Sequence, residues 1–164
     1  MIGSQGVQDR LWGYINLLWV SMAGGEKDMW HAEHTLDTTA RPERIWEQLQ
    51  EVASWPQWDT GLAGAELAGA FSAGARGRVR FPAHGPQEFQ LSAVTAPTDL
   101  VALTRLPLGE IRHIHHQEGS ALGTRMTHRI EIRGPLAWLY GLSVGRRLRD
   151  GLAPSMRRLA QLAS

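Results

Sequence analysis

The sequence predicts an α+β domain: a curved, seven-stranded antiparallel sheet with a long C-terminal helix laid against it and a short helical region after the first strand. Three observations predict it. Segments of alternating polarity recur along the chain, most of them at hairpin spacing. One segment near residue 45 switches to a helical period. The last thirty or so residues carry an unbroken apolar stripe that needs a large apolar surface to lie on.

The first strand is expected over Trp30–Thr38, where His31, Glu33, Thr35 and Asp37 alternate with Ala32, His34, Leu36 and Thr38. A helix follows. Pro42 and Glu43 suit its first turn, and Ile45, Trp46, Leu49, Val52 and Ala53 form its inward stripe. Pro56 should push Trp55 out of helical geometry and end it. Gly61–Phe71 reads as a strand weakened by small residues. Gly74-Ala75-Arg76-Gly77 is a turn into the alternating run Arg78–Phe81, and Pro82–Pro86 is a loop. Glu88–Val94, Leu100–Leu106, Glu110–Gln117 and Thr124–Arg133 complete the sheet. In the last of these Met126, His128, Ile130 and Ile132 face one way and the arginines the other.

The final helix is read from Pro135 to Ala163. Setting Arg146 at zero and advancing about 100° per residue puts Val144, Leu148, Leu152, Met156, Leu159 and Ala163 in one arc, joined upstream by Trp138. Arg146, Arg147, Asp150, Arg157 and Arg158 fall opposite. Pro135 fits a first-turn position. Pro154 removes one backbone bond and is expected to kink the helix or mark a weak turn. Antiparallel sheets commonly cover one face and wet the other. This helix is the element long enough to cover it, and a curved sheet gripping a helix leaves a gap where a small-molecule pocket forms.

The 164 residues suffice for one core domain, and a net charge of +1 calls for no nucleic acid or acidic partner. The absence of cysteine excludes disulfides, thiolate nucleophiles and cysteine-ligated zinc. Lys27 is the single lysine against sixteen arginines, so Schiff-base chemistry in the domain is excluded. Residues 1–28 read as an extension outside a domain that spans 29–164. The apolar run Leu11–Val20 is about half a membrane span. Asp9 beside Arg10 makes a poor signal-peptide start, and Gly24–Asp28 reads as a linker. A cytoplasmic protein is expected.

Gly141-Leu142-Ser143-Val144-Gly145 matches the serine-hydrolase pattern, but no histidine follows it and it lies within a helix, so a hydrolase is not expected. Its glycines suit close packing against a neighbour or flexing of the helix. Gly74–Gly77 lacks the lysine and hydroxyl of a phosphate loop. His113 and His115 should share one face of their strand, His116 the other, and His128 should face the gap. A zinc site needs three or four converging ligands, and no spacing here forces one. Of the seven tryptophans, Trp58 and Trp138 are candidates for the pocket wall or mouth.

Three stretches carry a family resemblance. Thr39-Ala40-Arg41-Pro42-Glu43-Arg44-Ile45-Trp46, Val52-Ala53-Ser54-Trp55-Pro56-Gln57-Trp58-Asp59, and Arg133-Gly134-Pro135-Leu136-Ala137-Trp138-Leu139-Tyr140 through Leu148 resemble the START-like helix-grip (SRPBCC) superfamily, in its polyketide cyclase/dehydrase and lipid-transport-like branch. The resemblance covers about residues 29–163. It implies the helix-grip fold with a deep, mostly apolar cavity under the last helix, but no single reaction.

Three functional readings follow. The first is a binder of a small hydrophobic or aromatic molecule: a lipid, polyketide-like or isoprenoid compound. The second is a cyclase or dehydratase using His128 or His113 as general acid and base. The third is an interaction protein whose cavity is plugged. The ligand-contacting residues are expected to be Trp58, Phe81, Phe89, Leu91, Arg105, His113, His115, Met126, His128, Ile130, Trp138 and Met156. No metal, cofactor, nucleic-acid partner or stable membrane span is expected.

Overall fold

A computed structural model describes residues 28–82 and 84–164, without the side chain of His84. The apolar run Leu11–Val20, Lys27 and the glycine pair of the linker lie outside the described residues. In chain order the elements are β1 (Met29–Thr38), α1 (Pro42–Gln50), a 3-10 turn (Val52–Ser54), α2 (Trp55–Trp58), β2 (Gly64–Ala68), β3 (Arg76–Phe81), β4 (His84–Thr95), β5 (Asp99–Leu106), β6 (Gly109–Ser120) and β7 (Gly123–Arg133). The C-terminal helix follows, as α3 (Ala137–Tyr140), a wide π turn (Gly141–Gly145) and α4 (Arg146–Leu162).

The strands form one antiparallel sheet in the order β1-β7-β6-β5-β4-β3-β2. The fold is the predicted helix grip. Its concave face carries Leu91, Leu100, Met126 and Ile130, all buried, against Met156, Leu159 and Ala163 of the C-terminal segment and Ile45, Trp46 and Leu49 of α1. The convex face is charged. Arg125 pairs with Asp37 at 3.0 Å, and Glu131 lies between Arg129 and Arg133. Burial raises the Glu131 carboxyl, but the two guanidiniums more than offset it and hold it below the ordinary value.

Several boundaries differ from expectation. β2 covers Gly64–Ala68, far less than Gly61–Phe71. β4 begins at His84, not Glu88, because a register shift between Val79 and Phe81 makes a bulge beside Pro86, and bulges are where strands tolerate proline. Trp55 is helical, with φ −50° and ψ −39°. Pro56 sits instead at the start of α2, where its missing N–H costs nothing. The tertiary environment overrides the local bias: Trp55 Nε1 donates to Leu49 O at 2.9 Å, and its ring lies 5.2 Å from that of Phe89. Ala53 is exposed rather than part of the inward stripe.

The C-terminal helix departs from the reading most at its start. Leu152, Met156, Leu159 and Ala163 are buried as predicted, but Trp138 is 56% exposed. A π turn holds more residues than an α turn, so projecting 100° steps backward through Gly141–Gly145 rotates everything upstream out of phase. Pro135 falls in the turn before α3, and α4 runs on through Pro154. The glycines have a definite purpose. A Cβ on Gly141 would come within 2.6 Å of the Trp30 ring, and one on Gly145 within 2.7 Å. The G-x-S-x-G pattern is therefore a slot for the Trp30 indole, while Ser143 Oγ donates to Leu139 O at 3.0 Å.

Candidate ligand cavity

A cavity of about 400 Å3 lies between the concave face and the C-terminal helix. The β6–β7 register brings its polar pole together. His115 is the cross-strand partner of His128, and His113 that of Ile130, which places all three imidazoles on the concave face. His116 points the other way and meets Asp99 at 2.7 Å. The β1 register adds His34 opposite His128, so one row of histidines crosses three strands.

Within the pole, the His115 and His128 rings stack with centroids 3.8 Å apart. His113 Nδ1 lies 3.4 Å from His128 Nε2. Trp58, from α2, meets His115 edge to face at 5.9 Å. Burial lowers the pKa of His113, with the Asp59 charge opposing it, and lowers that of His128, with charge on His115 and His113 acting the same way. Burial, and secondarily His113, pushes His115 down to about 3. The surface that His113 and His115 keep faces the cavity, so all three rings are neutral near pH 7. Among the described residues no three histidine, aspartate or glutamate side chains group as metal ligands.

Most of the rest of the wall is apolar, with Val79, Phe89, Leu100, Ala102 and Ile111 from the sheet and Leu148 and Leu152 from the helix, while Asp59, Gln87, Thr104 and Ser155 add polar groups. Val144 and Arg147 line the cavity and are also exposed, marking where it meets solvent. Tyr140 lines it too, and its hydroxyl donates to Pro107 O at 3.1 Å, tying the helix start to the β5–β6 turn.

Of the twelve residues singled out, Trp58, Phe81, Phe89, His113, His115, His128 and Ile130 line this cavity. Leu91 is in the packed core. Met126 and Met156 flank a separate space of about 10 Å3, where Ile45, Leu49 and Leu159 close the far end of the grip. Arg105 is exposed and alternates with the concave residues Thr104 and Leu106, so it belongs to the convex face. Trp138 is turned to solvent by the π turn. Asp59, Arg147, Gly151 and Ser155 were missed. Counting i+3 from Val144, Leu148 and Leu152 would have found the last three. Asp59 gave no such signal.

A model of the family described as "Polyketide cyclase / dehydrase and lipid transport" matches residues 29–164. The chain belongs to this family. No curated protein matches it by sequence. Among solved structures it is similar in fold to the di-domain ARO/CYC StfQ from the steffimycin biosynthetic pathway, with TM-score 0.69, 13% identity, and 84% of this chain and 52% of that one covered. It is similar to a truncated norcoclaurine synthase from Thalictrum flavum, with TM-score 0.64, 15% identity, and coverage of 82% and 92%. A protein from Nitrosomonas europaea gives TM-score 0.63, 13% identity, and coverage of 80% and 92%. The description of the polyketide cyclase/dehydrase family fits a ligand-binding cavity. No helix among the described residues is long and apolar enough to cross a membrane.

Proposed function

We propose that this protein binds a small hydrophobic or aromatic molecule, of lipid, polyketide-like or isoprenoid type, between the sheet and the C-terminal helix. The observation that carries the proposal is the cavity of about 400 Å3, apolar along most of its wall, with three histidines gathered on its sheet side. That volume falls in the range of small-molecule sites, and burying apolar ligand surface contributes about 25 cal/mol per Å2. It also argues against a plugged interaction protein.

Gly151 supports the same reading. It lies in α4 on the cavity wall, and a Cβ built on it meets nothing within 4 Å. Glycine costs a helix interior roughly 0.5–1 kcal/mol relative to alanine. The chain therefore carries an unfavourable helix residue on the cavity wall, at a point where a side chain would meet open space.

The test is native mass spectrometry of the freshly purified protein, with extraction of any retained molecule, on wild type and Gly151→Phe. The expected result is a retained compound in the wild type that the plugged variant, still folded, does not hold. Equal retention by both would place the ligand elsewhere and sink the proposal.

A second reading, a cyclase or dehydratase, draws on the His113–His128 contact of 3.4 Å. Two neutral imidazoles in contact on a water-poor wall can pass a proton to or from an enolisable substrate. A His128→Ala variant that retains the ligand but loses turnover would support it. Unchanged turnover would remove His128 from the chemistry.

A further inference from the structure

His128 is 4% exposed, and its Nδ1 has neither a hydrogen-bond partner nor room for a water against it. Its Nε2 faces His113 Nδ1. A neutral imidazole has one N–H and one bare nitrogen. Two indole N–H groups, Trp46 Nε1 and Trp58 Nε1, are already sealed without an acceptor; a third on His128 would add the cost of another orphaned donor, so the bare nitrogen of His128 is Nδ1 and its proton is on Nε2. That proton points at His113 Nδ1, which must then be the acceptor. The proton of His113 is consequently on Nε2. This nitrogen is not among the sealed atoms, and His113 lines the cavity.

We infer that His113 presents a fixed Nε2–H donor to the cavity and selects an uncharged ligand that enters with a carbonyl oxygen leading: an aromatic or isoprenoid ketone or quinone, not a carboxylic acid. The inference rests on the cavity being a binding site and adds which end of the ligand goes in and what it carries. The guanidinium lining the cavity, Arg147, lies at its solvent-exposed mouth, and the three imidazoles at the pole are neutral, so a carboxylate entering first would be buried there unpaired, which is strongly unfavourable. A hydrocarbon would leave the His113 donor unpaired, which is also unfavourable. The donor is set by a sealed atom on the neighbouring strand, so His128 acts as a positioning residue and His113 as the one that touches the ligand.

Two measurements test this. Long-range 1H–15N correlation spectra of the labelled protein at pH 7.5 report tautomers directly, without any variant. The expected result is Nε2–H on both His113 and His128; Nδ1–H on His113 overturns the inference. The second is titration of tryptophan fluorescence with naphthalene, 2-acetylnaphthalene and 2-naphthoate. The ketone should bind about tenfold tighter than either of the others, and His113→Phe should abolish its advantage over naphthalene while leaving naphthalene bound. Equal affinity of the wild type for ketone and naphthalene overturns the inference and leaves the cavity reading standing. Failure of all three to bind removes the cavity reading, and the ligand assignment with it.

Discussion

His115 and His116 are adjacent in sequence and inhabit different chemistries. His115 lies on the concave face of β6, stacked 3.8 Å from His128, and burial pushes its pKa down to about 3. The side chain of His116, on the convex face, is 48% exposed and meets the Asp99 carboxylate at 2.7 Å. The Thr98 hydroxyl first, and His116 second, hold Asp99 below its ordinary range. A period of two thus separates a nitrogen-lined cavity pole from a solvent-facing, hydrogen-bonded surface. Residue type says little about what a histidine does here, whereas parity along the strand says a great deal.

Substitutions on the two faces should differ widely in effect. The largest effect belongs to the concave core. Leu91 is fully buried, and Leu91→Ala should cost about 2–5 kcal/mol in urea unfolding. A loss near zero would mean that this face is not packed as described. Next is the Trp30 slot. Gly145→Ala should cost about 1–3 kcal/mol by overpacking, and adding Trp30→Leu should recover much of it. Additive losses in the double variant would show that the two residues do not meet.

Acid separates the faces by pH window. The unfolded imidazoles titrate near 6.5, and the three concave ones take up protons only at lower pH when folded. The unfolded chain therefore binds more protons in that interval. Stability is full above about pH 6.5 and falls as pH drops toward 3, by at most about 1.4 kcal/mol per pH unit for each ring. The convex carboxylates Asp37, Asp99 and Glu131 have lowered folded values. Their contribution is present above their ordinary values of 3.8 to 4.5 and is lost only below them. His115→Phe should lower the slope between pH 6.5 and 4.5 by one ring's share and leave the carboxylate limb below it in place. An unchanged slope in that window would break the assignment. The smallest effect is on the convex surface, where Arg125→Ala should leave the urea midpoint unchanged at 150 mM salt.

The fold was legible because its signals are local and repeated. The alternation of Thr124–Arg133 and the stripe from Leu148 to Ala163 survive into the structure with their faces intact. The histidine pole was legible in part: parity puts His113 and His115 on one face and the apolar neighbours of His128 turn it toward the gap, but the β6–β7 register is what joins the three. What failed needed information beyond a fixed period. Trp138 was misplaced by a π turn whose two end glycines face the ring of Trp30, over a hundred residues away in sequence. Arg105 was included as a polar group although its own strand turns it outward. Met126 and Met156 face inward as read, but the grip closes on them, and no sequence pattern says where along a concave face the space ends.

Gly151 carries a consequence for how this chain could diverge. Beside Leu148 and Leu152 on the helix side, the cavity wall includes this one position that any substitution enlarges, with open space where its Cβ would stand. A graded series from Gly151→Ala through Gly151→Val to Gly151→Leu should shorten the longest accepted guest step by step, the first of them also raising stability by about 0.5–1 kcal/mol. Preference for ligand size would then be set at one codon, independently of the β-strand residues that recognise the leading oxygen.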